Sequence, residues 1–586
     1  MLQTNSVHAP VFSCRPLFAS IAALLLCGAA DSHAVVPPPS PYTFTALYQT
    51  GGDVPGAGTN PKIQAGAKWT GFGSPAVAVY GATAMIGKWK APAVTGANPL
   101  PAQSGVGIFL NDLVTTSLIV KVGDPVPGHP GLTFKAFKDP AIGQDPHLAF
   151  LATIAGPGVS SSNDTVVVTN GRDGNLEVLA REGDTNLDSA DSCVIKSFGS
   201  VSIGNARFAP AEGSVCGVAF SASLLIGSNP TTPVTKADDN GVWMLNPGGT
   251  DVLRVVRESF PDFYDGDSMY FPVKSFMALK ALSGSPAQNR AMLTGEAVAV
   301  QGTLVDGRQA TWLATGAAGD YPLAFTGSLF GAAIPQATWA KVGLPSGWGD
   351  FRGGYLSMLG TLTAGTGGVT SANAKGIFAA ADPSNSGYTW SSVARVGDSA
   401  PGIAGATFSA FKDPVGYTAF LGTVKGGSTS STDNDGLWMT QPGFGALQLI
   451  AREGAQPPGA PAGAKWKAFT SVLAPGGTDM VLVFTASLQK GVGAAAGPGG
   501  ITSIDDLALY ATQYDVGTDS YQTFELVREN QPLLGKTVKS FKALKAVSGS
   551  AGTGRSFSFN PRDTVLVLVT FTDNTTAVVK VSVSAS

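Results

Sequence analysis

Lysine is the residue type in this chain whose recurrence points most directly to chemistry. Lys138, Lys280, Lys412 and Lys545 each stand four residues after a repeated aromatic, at Phe134, Phe276, Phe408 and Phe541. Of 23 lysines, 13 fall in or beside such segments. A ring of ammonium groups would focus positive potential and favour an anion, and lysine keeps its charge at neutral pH unless deeply buried. The competing reading is structural: a strand lysine can turn outward, or pair with a neighbour such as Asp139 or Asp413.

Other residue types give weaker signals. His129 and His147 flank prolines in loop-like sequence, too few for a histidine zinc site. Neither a nucleophilic serine in a strand–turn–helix context nor a phosphate loop is present, and no cofactor motif is found. Asp505 with Asp506, and Glu258 with Asp262, supply carboxylate pairs of the kind a glycosidase uses. Asp433-Asn434-Asp435-Gly436 lacks the distal glutamate of a calcium loop and reads as a hairpin turn. The basic residues at blade ends, with their Glu or Asp neighbours (Arg181, Arg257, Arg452, Arg528), read as packing ion pairs.

The elements that must position these residues are read from self-similarity. Thr133–Pro140 repeats as Thr407–Pro414, and Ser275–Leu282 as Ser540–Val547. An aromatic at Trp69, Phe134, Phe198, Phe276, Trp339, Phe408, Trp466 and Phe541 is followed three residues later by an apolar side chain. This makes eight copies at a period of roughly 67 residues. A second marker, basic-x-Gly-Asp-x-x-Pro-Gly, is fullest at Lys121–Gly128 and Arg395–Gly402. A third, Asp238–Met244 matched by Asp433–Met439, is a polar turn entering an apolar strand. Each copy reads as four short strands bounded by Gly, Pro, Asp or Ser. Eight such units predict an all-β, eight-bladed β-propeller of four-stranded blades. The last copy has room for three strands, so Tyr42–Gly56 is predicted to pair into it and close the ring. Likeness of copies 2 and 6, 3 and 7, and 4 and 8 predicts two four-blade halves, about 42–330 and 331–586.

Composition agrees. Gly numbers 75 and Pro 39, charged residues are 13% and hydrophobic ones 44%, which excludes a helical bundle and a disordered chain. Lys+Arg against Asp+Glu is 37 against 40, which excludes a generic nucleic-acid binder. The N-terminus carries Arg15, an apolar run from Leu17 to Ala30, and Ser32-His33-Ala34. That pattern predicts a signal peptide over residues 1–34, a Pro-rich leader over 35–41, and export to the periplasm, cell surface or medium. The run is short for a membrane span. The mature chain keeps Cys193 and Cys216, which predict one disulfide in an oxidising compartment.

The markers resemble a bacterial exported tandem-repeat family named for its Asn-x-x-Gly-x-x-Ala-Phe motif. Ala149-Phe150, Ala219-Phe220 and Ala419-Phe420 carry the resemblance. It implies exported repeat architecture and no particular activity. Together these features predict an exported binding or surface-interaction propeller whose partner is an anionic polysaccharide or a small anion. The alternatives are a carbohydrate-active hydrolase or lyase, and a structural envelope protein.

Overall fold

The computed structural model describes residues 41–78, 81–96, 98–143, 147–171, 174–185, 187, 192–203, 217–245, 252–265, 269–279, 298–314, 321–331, 333–348, 355–381, 389–416, 418–440, 446–474, 481–491, 500–515, 517–544, 559–560 and 564–583. Every regular element among them is a β-strand. Eight antiparallel sheets follow one another along the chain, each with four main strands in sequence order. Blade 6 shows the pattern: Ala406–Phe411, Ala419–Gly426, Asp435–Met439 and Gln448–Arg452. Blade 8 is made from Lys536–Lys542, Thr564–Phe571, Thr576–Val583 and, from the other end of the chain, Tyr42–Gln49. Ser40–Ser586 is one compact unit, an eight-bladed β-propeller.

The core lies between the sheets. Among the described residues the buried apolar side chains form eight clusters, each shared by two neighbouring blades. Tyr48, Leu568 and Val578 of blade 8 pack with Trp69, Trp89 and Phe109 of blade 1, so the seam is packed like the other interfaces. Trp438, fully buried, meets Phe408 edge-on with ring centroids 4.9 Å apart. Burying such a side chain is worth about 1.5–3 kcal/mol.

Two bulges recur in every blade. In the fourth strand the bulged residue is Ile119, Leu179, Val255, Leu323, Val393, Ile450 or Leu526. The closing strand reproduces it at Leu47, which marks Tyr42–Gln49 as the missing fourth strand of blade 8. A second bulge lies near the start of each first strand. Its extra residue is Thr70, Lys135, Lys196, Lys274, Ala340, Ser409, Lys467 and Lys539 in blades 1 to 8.

A clamp joins each fourth strand to the next first strand, and it explains the Gly-Asp marker. The N–H of Gly51, Gly123, Gly183, Ser259, Gly327, Gly397, Gly454 and Asn530 donates to the carbonyl of Trp69, Phe134, Ile195, Val273, Trp339, Phe408, Trp466 and Val538 respectively. All eight donors have positive φ, from 59° at Asn530 to 91° at Gly327. Glycine dominates because it reaches that region without a Cβ penalty.

The clamp and the bulge together correct the repeat register. The residue buried against the preceding blade is Ile195 in blade 3, Val273 in blade 4 and Val538 in blade 8. The aromatics Phe198, Phe276 and Phe541 lie three residues further on, equivalent to Phe137 and Phe411 rather than to Phe134 and Phe408. The physical cause is the bulge, which turns positions three apart to the same side. Phe134 and Phe137 meet at 5.5 Å and Phe408 and Phe411 at 5.1 Å. Either position can therefore hold the aromatic.

Candidate functional site

The first strands form one edge of the sheet in blades 1 to 7, and in blade 8 only the short Pro532–Leu533 pairs outside the first strand. Short segments just beyond two of them, Ala76–Val77 and Ala141–Ile142, touch each other across neighbouring blades, as expected where blades converge on the axis. Their exposed side chains carry the lysines. Lys135, Lys196, Lys274, Lys467 and Lys539 occupy the same bulge position in five of the eight blades, and all five are exposed. A bulged edge residue has no cross-strand partner position, so its side chain is freed from the regular pleat.

Of the four lysines singled out in the sequence, Lys138 and Lys412 are exposed, one residue past Phe137 and Phe411. Lys280 and Lys545 lie outside the described residues. The corrected register separates them from the other two: the residues equivalent to Lys138 and Lys412 in blades 4 and 8 are Met277 and Lys542. Lys542 is exposed. Lys135, Lys138, Lys196, Lys274, Lys412, Lys467 and Lys542 have no acidic partner among the described residues, and Lys539 donates to Asn574 Oδ1 at 2.9 Å. Some lysines elsewhere are paired, Lys62 with Asp124 at 2.7 Å, Lys236 with Asp239 at 2.9 Å and Lys536 with Asp573 at 2.8 Å, whereas Lys88, Lys90, Lys375 and Lys425 are exposed without an acidic partner among the described residues. Lys412 also lines a cleft of about 70 Å³ between blades 6 and 7, with Thr423, Asp435 and Phe469.

The five bulge lysines were not picked out as a set from sequence. Counting along the sequence does not align them, because the spacing from the positive-φ donor to the lysine varies; what aligns them is the clamp's acceptor, Phe134, Ile195, Val273, Trp466 or Val538, which stands immediately before each lysine.

The basic residues at blade ends are structural. Arg181 Nε donates to the Asn163 carbonyl at 2.9 Å, Arg257 Nε to that of Asp238 at 2.9 Å, and Arg452 Nε to that of Asp433 at 2.8 Å. Arg257 and Arg452 also pair with the same aspartates at 2.8 and 2.7 Å. Those acids cap the turn before the third strand, where Thr235 and Ser430 donate their N–H to Asp238 and Asp433 Oδ1. Glu182, Glu258, Glu453 and Glu529, next in sequence to the arginines, are pushed above the usual carboxylate range by burial. Asp164, Asp239, Asp435 and Asp506 beside them raise them further.

The candidate carboxylate pairs are engaged. Asp262 accepts the Arg257 N–H at 2.7 Å and faces Arg254 at 3.4 Å, while Glu258 accepts from Asn240 at 3.2 Å. Asp505 faces Arg528 at 3.7 Å and Asp506 faces Lys490 at 3.3 Å. Among the described residues no three His, Cys, Asp or Glu side chains gather as a metal site. Cys193 is buried, and Cys216 lies outside the described residues.

Comparison with known proteins gives a family and little chemistry. No curated protein matches the chain. Among solved structures, a Trypanosoma rangeli sialidase in complex with sialic acid and a mutant of that sialidase displaying trans-sialidase activity are similar to it. Each is 12% identical with a TM-score of 0.25, over 92% of this chain and 59% of that one. The chain thus spans well under two thirds of those proteins, and at that score the likeness says nothing of its chemistry. The Asn-x-x-Gly-x-x-Ala-Phe resemblance is not confirmed by any match. The family described as "Family of unknown function (DUF7453)" matches residues 40–259 and again 217–585, and the chain belongs to that family.

Proposed function

We propose that this propeller is an exported binding module that takes an anionic ligand, a polysaccharide or a small anion, on its lysine-bearing first strands. The observation that carries the reading is the bulge position, where Lys135, Lys196, Lys274, Lys467 and Lys539 recur exposed around the ring. Lys138, Lys412 and Lys542 add charge one turn of the pleat further along. Ammonium groups without acidic partners leave a positive field that draws anions. The net charge of the whole chain is −3, so this field is a local arrangement. Export follows from the N-terminal 34 residues, and a Cys193–Cys216 bridge would suit that compartment.

The test is a titration of the purified chain with alginate, heparin, dextran and inorganic phosphate at low and high salt, beside a variant with all five bulge lysines changed to Ala. Charge contacts of about 0.3–1 kcal/mol each predict at least tenfold weaker anion binding in the variant. High salt should weaken the parent similarly. Anion binding indifferent to salt and to the five substitutions would sink the proposal.

A further inference from the structure

A cavity of about 360 Å³ opens at the seam where the ring closes, and nothing above assigns it. Its walls come from both sides of the seam. Tyr48 and Gln49 belong to the closing strand, Asp53 to the turn that follows, Trp69 to the first strand of blade 1, and Asn111 and Thr116 to its outer hairpin. The volume falls in the range of small-molecule sites, about 300–1,000 Å³.

One wall is pre-organised. Tyr48 Oη and Thr116 Oγ1 are 2.8 Å apart, and Asn111 Nδ2 donates to the same Oγ1 at 2.9 Å. Asn111 Oδ1 accepts the Leu113 N–H at 2.9 Å, which fixes its orientation. Burial raises the Tyr48 phenol above its ordinary value, so it stays a neutral hydroxyl. Trp69 and Tyr48 meet edge-on at 5.8 Å and are largely buried in the seam core, which holds that wall rigid. On the open side, Asp53 Oδ1 takes the Lys68 ammonium at 2.8 Å, leaving its other oxygen as an acceptor with the charge offset. The Gln49 amide has no partner among the described residues, so it offers both a donor and an acceptor.

We infer that this cavity binds a neutral saccharide unit. With Asp53 offset by Lys68 the lining carries no net charge to favour an ion of either sign, and an apolar ligand would leave the Gln49 and Asp53 polar groups without partners. The hydroxyls of a sugar ring, each donor and acceptor, match the remaining Asp53 carboxylate oxygen and the Gln49 amide. A ligand there bridges the closing strand and blade 1, so binding holds the closing strand in place. This site is independent of the lysines.

The experiment is calorimetric titration of the full chain with glucose, galactose, N-acetylglucosamine, maltose and cellobiose, with amide exchange of Tyr42–Gln49 as a second readout. The expected result is one site per chain for at least one of these sugars, insensitive to salt and retained by the five-lysine variant, with slower exchange in the closing strand. Gln49→Ala and Asp53→Asn alter exposed or half-exposed side chains, and each should weaken binding about tenfold while leaving the melting temperature unchanged. No binding by any of the five sugars, or binding that neither substitution weakens, overturns the inference.

Discussion

Replacing the clamp glycines with alanine should cost amounts that differ by position in a way the structure specifies. Gly123 has φ 89° and open space where a Cβ would stand, whereas Gly454 has φ 80° and would place its Cβ 2.9 Å from Asp433 Cβ. At Gly123 the cost is the left-handed backbone alone, about 1–2 kcal/mol, partly offset by roughly 0.4–1 kcal/mol from a stiffer unfolded chain. At Gly454 the added methyl must also displace Asp433. That residue accepts the Ser430 N–H and pairs with Arg452 at 2.7 Å. Two such bonds are worth about 1–3 kcal/mol each when disturbed. Gly454→Ala should therefore be at least about 2 kcal/mol more destabilising than Gly123→Ala. Gly123→Asn should cost less than Gly123→Ala, since Asn530 holds the equivalent place at φ 59°. Urea midpoints of the three variants decide the matter. Equal losses for the two alanine variants would show that close approach to Asp433 is irrelevant and that the account of the marker is wrong.

Burial should likewise separate two equivalent arginines. Arg257, 3% exposed in its side chain, also stacks on Phe260 at 4.4 Å, and Arg257→Ala should cost about 3–5 kcal/mol. Arg452, 22% exposed, should cost about 1–2 kcal/mol; urea midpoints in reverse order would refute this. The four raised glutamates set a pH dependence. A folded value above the ordinary 4.5 means that the unfolded chain releases the proton first, so stability falls as pH rises through the window between the two values. Changing Glu182, Glu258, Glu453 and Glu529 together to Gln should raise the melting temperature at pH 7, and the gain should shrink below pH 4.5. A gain that is absent at pH 7, or that grows in acid, would contradict it.

Much of the fold was legible because its signals are local. Alternating apolar runs between Gly, Pro and Asp turns mark the strands, and the repeat segment Thr407–Pro414 overlaps the observed strand Ala406–Phe411. The orphan Tyr42–Gly56 segment announced closure because it carried an end-of-blade marker with no blade before it, and it pairs with Thr576–Val583 as expected. The structural role expected of the blade-end arginines rested on repetition of charge beside charge, and their carbonyl and aspartate partners bear that role out.

The site was less legible, because it depends on one inserted residue per strand. Aromatics are easy to align by eye, yet Phe198, Phe276 and Phe541 serve the same inter-blade core as Phe134 and Phe408 from a place three residues along. Sequence by itself determined that there are eight four-stranded units, that the ends meet, and that lysine concentrates on the first strands. Only the tertiary structure decided which lysines are equivalent. Equivalence is set by hydrogen bonds between chain segments and by bulges that shift every later residue, and neither leaves a mark on residue type. The seam cavity was beyond sequence for a related reason: Tyr48 and Thr116, 68 residues apart, become neighbours only when the closing strand packs on blade 1.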